Sequence, residues 1–248
     1  MALSLYTGTP GSGKSLHLVS EILSQLKSGK DVIANFPIKF SEQEIEKGYR
    51  KRFTYMTNLN ITVNSLLEHA IEHDYIERKK ESQCLVVIDE AGGRFNTRNV
   101  GAADRTEWID FFSQHRKLGF DFILSCQGEK MIDRQIRTMV ETEFVHRKVN
   151  NFGLFFLLPF SLFVSIERWY VAKERVGSSF FRYKKKIGDR YDTMMLFEGF
   201  KMSPELLKKI EAKKKAKEEG KQLESSKVDV SDVPVTEIFE KEDIDTSE

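Results

Sequence analysis

Along the first 150 positions, short apolar runs alternate with amphipathic stretches. Leu3-Ser-Leu-Tyr6, Val32-Ile-Ala34, Cys84-Leu-Val-Val-Ile88 and Phe120-Asp-Phe-Ile-Leu-Ser-Cys126 are nearly continuous in apolar residues, the pattern of strands covered on both faces in a parallel sheet. Between them apolar positions recur at helical spacing: Leu16, Val19, Ile22, Leu23 and Leu26, then Leu66, Leu67, Ala70 and Ile71. A third helix is predicted over Thr106–Leu118, with Trp108, Ile109, Phe111 and Phe112 on its apolar face. Ser28-Gly29-Lys30-Asp31 and Gly119 supply stop signals after the first and third helices. Ile132–Val140 predicts a further helix and Glu141–Val149 a further strand. Strands and helices in this alternation predict an α/β fold with a central, mostly parallel sheet flanked by helices.

Two regions depart from the pattern. Residues 39–60 are polar and weakly periodic, with a basic cluster at Arg50–Arg52, and read as an insertion. Phe152–Ile166 carries no charge and is interrupted by Pro159 and Ser161. It falls short of the roughly twenty apolar residues that span a bilayer, and Pro159 disfavours a straight helix. A β-hairpin leading to Arg168-Trp-Tyr-Val171, covered by the core or by a neighbouring subunit, is one reading; contact with a membrane is the other. Ser178–Ile187 alternates as a strand. Beyond Pro204 a lysine-rich helix is predicted over Glu205–Gln222, followed by an acidic tail too poor in apolar residues to order itself. The expected organisation is a core over 1–150, a small β-rich extension over 151–200, and a helix with a disordered tail over 201–248.

Composition adds little. Lysine plus arginine (39) nearly cancels aspartate plus glutamate (38), so net charge points neither to nor away from nucleic acid. Cys84 and Cys126 each sit inside an apolar run and read as buried thiols in a reducing compartment, with no metal-ligand or redox spacing. No basic segment and long apolar stretch precede Gly8, so this end of the chain is not expected to be exported.

The chemistry lies where the apolar runs end. Gly8-Thr-Pro-Gly-Ser-Gly-Lys14-Ser15 fits G-x-x-x-x-G-K-[ST], and it stands between a predicted strand and a predicted helix, where a phosphate-binding P-loop must stand. Gly8, Pro10, Gly11, Ser12, Gly13, Lys14 and Ser15 form the expected cradle, with Lys14 on the β- and γ-phosphates and the Ser15 hydroxyl on Mg²⁺. Gln83-Cys-Leu-Val-Val-Ile-Asp89-Glu90 is a buried strand closed by two acids, the Walker B pattern. Asp89 is suited to the Mg²⁺ shell and Glu90 to polarising the attacking water. Phe120–Cys126 ends in Gln127, where hydrolases of the additional-strand, catalytic-glutamate class of P-loop NTPases place a γ-phosphate sensor; an ordinary strand-end cap is the alternative.

Together, Gly8–Ser15, Leu85–Glu90, Phe111-Phe-Ser-Gln-His-Arg-Lys-Leu-Gly-Phe-Asp121, Ser125-Cys-Gln127, Ile132–Arg137 and Arg190-Tyr-Asp-Thr193 resemble the Zot family. These are the gene I-type morphogenesis ATPases of filamentous bacteriophages, called after the zonula occludens toxin homologue. The resemblance covers about residues 1–193. It implies a homo-oligomeric ATPase using ATP and Mg²⁺ at the cytoplasmic face of the host inner membrane, driving assembly and extrusion of the particle. Phage coat and assembly proteins, and possible single-stranded DNA, are the implied partners, with Phe152–Ile166 as a candidate membrane contact. Family members commonly continue into a transmembrane helix and an external domain, whereas this chain ends in an acidic tail. An arginine finger is expected from a neighbouring chain, with Arg98, Arg116 and Arg134 as candidates and a surface role as the alternative for each. Two other functions share these motifs: a DNA-translocating or packaging ATPase, and a nucleotide-gated scaffold that binds without hydrolysing.

Overall fold

The computed structural model describes residues 3–96, 102–151 and 153–191. Arg98, the predicted helix at Glu205–Gln222 and the acidic tail lie outside the described residues. The strands are β1 (Leu3–Thr7), β2 (Asp31–Ala34), β3 (Phe53–Tyr55), β4 (Cys84–Ile88), β5 (Phe120–Cys126), β6 (Thr142–Lys148), β7 (Leu162–Trp169) and β8 (Arg175–Arg182). They form one sheet in the order β3-β2-β4-β5-β1-β6-β7-β8. The first six in that order run parallel; β7 and β8 join antiparallel to them. All residues of β1, β4 and β5 are buried, which explains their continuous apolar runs. One strand, β5, separates the P-loop strand β1 from the Walker B strand β4.

The helices are α1 (Lys14–Lys27), α2 (Glu42–Glu46), α3 (Tyr49–Arg52), α4 (Val63–Glu72), α5 (Tyr75–Arg78), α6 (Ala102–Gln114), α7 (Arg134–Thr138) and α8 (Lys185–Gly188). On one face α1 lays Leu18, Val19, Ile22 and Leu26 against Tyr6, Val32, Ala34, Leu85, Val87 and Ile123. On the other, Leu66 and Ala70 of α4, Trp108, Phe111 and Phe112 of α6 and Ile136 of α7 cover Leu5, Val86, Ile88, Phe122 and Leu124. Each large apolar side chain buried in this way is worth roughly 1.5–3 kcal/mol. Phe112 and Phe122 meet edge to face with centroids 5.0 Å apart, an arrangement that adds to area burial alone. Helix α6 lies about one turn earlier than its apolar pattern suggests. After Gln114 the chain turns back, Phe120 N–H donating to the His115 carbonyl at 2.9 Å, so 115–118 are turn.

Two expectations are corrected. The segment 39–60 is more than an insertion: Phe53–Tyr55 pairs parallel with β2 and forms the edge of the sheet. Its three residues are too few to show a period. The hairpin is also displaced. Gly153–Leu157 is a 3-10 turn, and the second half of the uncharged run becomes β7, which pairs with β8 instead of with Arg168–Val171. Pro159, lacking an N–H, separates the two. No described helix is long and apolar enough to cross a membrane.

Candidate nucleotide site

Parallel pairing brings three strand ends to one edge of the sheet. Thr7 lies opposite Cys126, and Ile88 opposite Leu124, so the P-loop, Asp89-Glu90 and Gln127 all leave the sheet on the same side. The loop needs its glycines for space as well as for conformation. At Gly8 (φ +147°) an added Cβ would stand 2.5 Å from the His146 carbonyl oxygen, a backbone atom that has nowhere to go. At Gly13 (φ +94°) it would meet the Phe163 ring at 2.8 Å. Gly13 is also the N-cap of α1, and neither a capping side chain nor a first-turn acid occupies that end of the helix. The helix therefore keeps its positive end for an external anion.

Lys14 is buried and its Nζ donates to the carbonyls of Gly8 (2.7 Å) and Thr9 (3.2 Å). Burial pulls its pKa below the ordinary lysine value, while Asp89 and Glu90 act against that shift. Asp89 is buried at the end of β4. Glu90 has φ +50° and caps a short 3-10 turn, a left-handed conformation unusual for a side-chain-bearing residue and a mark of a constrained site. Burial raises the Glu90 pKa, the neighbouring Asp89 charge raises it further, and Lys14 and a hydrogen bond from Gln127 oppose both. Lys14, Asp89, Glu90 and Gln127 therefore act on one another, and Gln127 is more than a strand-end cap, since its side chain bonds Glu90. Ser15, in the first turn of α1, is half-buried. Its hydroxyl with the Asp89 carboxylate makes a hard oxygen donor set that fits Mg²⁺ and would not favour a softer metal.

The arginines divide. Arg116 follows α6 at the opposite edge of the sheet, where it pairs with Glu141 at 3.1 Å. Arg134 is exposed at the start of α7, and no ion pair engages it among the described residues.

Several residues of the site carry no motif. Asn35, just past β2, hydrogen-bonds the backbone of Asp89, and the Tyr191 hydroxyl donates to Asp89 Oδ2 at 3.1 Å. Tyr191 belongs to the Arg190-Tyr-Asp-Thr193 segment, so sequence resemblance had flagged the residue without its contact. Beneath the P-loop, Thr7 Oγ1 donates to Glu143 Oε1 at 2.9 Å, and buried Glu143 pairs with Arg168 at 3.1 Å and Lys173 at 3.4 Å. Beside them His146 presents Nδ1 to the carbonyls of Phe144 (3.0 Å) and Thr7 (3.2 Å). Nδ1 must therefore carry the proton, which leaves Nε2 to accept from His17 Nδ1 at 2.8 Å. Burial holds the pKa of His17 down at about 4 and that of His146 at about 3, with His17 adding to the latter shift. Two neutral imidazoles thus fasten the first turn of α1 to β6.

A parallel sheet with one strand inserted between P-loop and Walker B strands, and with Lys14, Asp89, Glu90 and Gln127 at its carboxyl edge, defines a P-loop NTPase of the additional-strand class. The model of the zonular occludens toxin (Zot) family matches residues 2–194, and the chain belongs to that family. Among curated relatives, the gene 1 protein of Enterobacteria phage I2-2 is 32% identical over 146 residues, 59% of this chain and 40% of the relative. That of Enterobacteria phage fd is 27% identical over 179 residues, 71% of this chain and 51% of the relative. The chain thus spans about half the length, or less, of these relatives. Among solved structures, the N-terminal domain of zonular occludens toxin from Neisseria meningitidis is 24% identical with a TM-score of 0.48, covering 77% of this chain and 99% of that one. A second solved structure, also an ATPase domain, aligns with a TM-score of 0.50 at 10% identity over 77% of this chain and 84% of that one, a likeness of fold alone.

Proposed function

We propose that this chain is the ATP-hydrolysing part of a motor that assembles and extrudes filamentous phage particles. The observation that carries the hydrolytic half is the Gln127 hydrogen bond to Glu90, beside Lys14 and Asp89. The P-loop amides, the α1 N-terminus and Lys14 bind the phosphates. Ser15 and Asp89 would hold Mg²⁺, which when bound neutralises charge on the phosphate oxygens. Glu90 takes the proton of the attacking water, and Gln127, bonded to Glu90, reports the γ-phosphate. A raised Glu90 pKa strengthens it as a base, provided it is ionised at the working pH.

Kinship with phage gene 1 proteins supports the assembly half. Within it we place the protein at the cytoplasmic face of the host inner membrane as a homo-oligomer, with nucleotide at the subunit boundary and Arg134 the better placed of the two described finger candidates. Phage coat and assembly proteins are its proposed partners. The test is Mg²⁺-dependent phosphate release by wild-type protein and by Glu90→Gln, with and without single-stranded DNA and anionic vesicles. Release at the same rate in both proteins would overturn the assignment. Stimulation by DNA with steep salt dependence would favour a packaging motor instead.

A further inference from the structure

The phosphate loop opens into an aromatic groove. A cavity of about 260 Å³ runs from Gly11–Leu16 to a far wall made by Phe163 of β7 and Tyr183, the residue after β8. An adjoining hollow of about 140 Å³ continues past Ser15 and Leu16 between Tyr183, Ile187 and Tyr191. Phe163 is buried and its ring lies on Gly13. Tyr183 is 48% exposed, a large aromatic left open at the rim of an anion site. It is nevertheless held: its N–H donates to the Ser161 carbonyl at 3.0 Å, and its ring edge rests on Gly188, where any Cβ would collide with it. Apart from the P-loop's own serines and lysine, the described walls of both spaces carry only aromatic and aliphatic side chains with tyrosine hydroxyls. Among the described residues, no amide, carboxylate or guanidinium side chain lines them.

We propose that Tyr183 and Phe163 form the nucleobase platform of this site, stacking a purine whose phosphates lie in the P-loop and leaving its hydrogen-bonding edge unread. The proposal rests on the P-loop being a phosphate site. Every base has a π-face, so a wall of this chemistry gives affinity without choosing between bases; discrimination needs buried groups that would be left unpaired by the wrong edge. The chain accordingly takes purine nucleoside triphosphates as a class, adenine and guanine alike.

The test compares ATP, GTP and inorganic tripolyphosphate by titration calorimetry with Mg²⁺, on wild type, Tyr183→Ala and Tyr183→Trp. Wild type binds ATP and GTP within about threefold of each other and both more tightly than tripolyphosphate. Tyr183→Ala weakens both nucleotides about tenfold, the size of one lost stacking contact, and leaves tripolyphosphate unchanged. Tyr183→Trp recovers the loss. Equal weakening of tripolyphosphate by Tyr183→Ala, no weakening of ATP, or strong wild-type preference for one purine would overturn the platform. A wild type that holds tripolyphosphate as tightly as ATP removes the platform and spares the phosphate site; one that holds neither removes both.

Discussion

Asn35 grips Asp89 by the backbone: its Oδ1 accepts from the Asp89 N–H and its Nδ2 donates to the Asp89 carbonyl, each at 2.8 Å. The same Nδ2 reaches Asn58 Oδ1 at 2.8 Å. The carboxylate is thereby aimed by a side chain from the neighbouring strand, and its own two oxygens stay available to Glu90 N–H, Tyr191 and a ligand. Asn35→Ala strands two buried backbone groups and should cost about 2 kcal/mol. Urea unfolding of the variant beside wild type measures this, and a change below about 0.5 kcal/mol would mean that water replaces the amide without penalty.

Lys14→Ala should abolish nucleotide binding, whereas Glu90→Gln should bind ATP within a few-fold of wild type and lose about a hundredfold or more in turnover. Because the Glu90 pKa is raised, the acid limb of the rate profile should fall at a pH above the ordinary glutamate value. Rates that persist down to that value would show that the ionisation of Glu90 does not limit turnover.

Gly8→Ala and Gly13→Ala should differ in kind. The first drives a methyl into a backbone carbonyl of β6, and we expect binding and folding to fail together. The second meets the Phe163 ring, which can tilt, so the fold should survive with weakened nucleotide affinity. Circular dichroism melts paired with nucleotide titration separate the two outcomes; an intact, fully binding Gly8→Ala would refute the close approach.

His17 and His146 bind protons less readily in the folded protein than in the unfolded chain. Their neutral pair is therefore fully compatible with folding above about pH 6.5, and stability drains as pH falls from there toward the folded values, since the unfolded state takes up more protons. The expected slope is on the order of 1 kcal/mol per pH unit per histidine. Replacing His146 by Gln should flatten the dependence of the urea midpoint between about pH 6 and about pH 4; an unaltered slope would place the acid sensitivity elsewhere.

What the chain revealed before folding was what lies close together along it. The Gly8–Ser15 loop, the Asp89-Glu90 pair and Gln127 are short motifs closing buried strands, and the strands announce themselves by burial on both faces. The contacts that fix these groups were invisible because they join distant positions: Asn35 to Asp89 across 54 residues, Tyr191 to Asp89 across 102, His17 to His146 across 129. Glu143 shows the same limit from another side. A lone glutamate in a strand predicted at the periphery reads as solvated, and only the fold brings Arg168 and Lys173 over it. Strand β3 was too short for periodicity, and the hairpin was misplaced because an uncharged run does not say where Pro159 will divide it.

Tyr191 closes the described chain with its ring 4.4 Å from Phe36 and its hydroxyl on Asp89. Mechanically, that makes the tyrosine a short crank between the backbone at this point and the carboxylate. A pull applied to the chain here reaches Asp89 through one phenol, without first deforming the sheet; conversely, a shift of Asp89 tugs on the chain with the same directness.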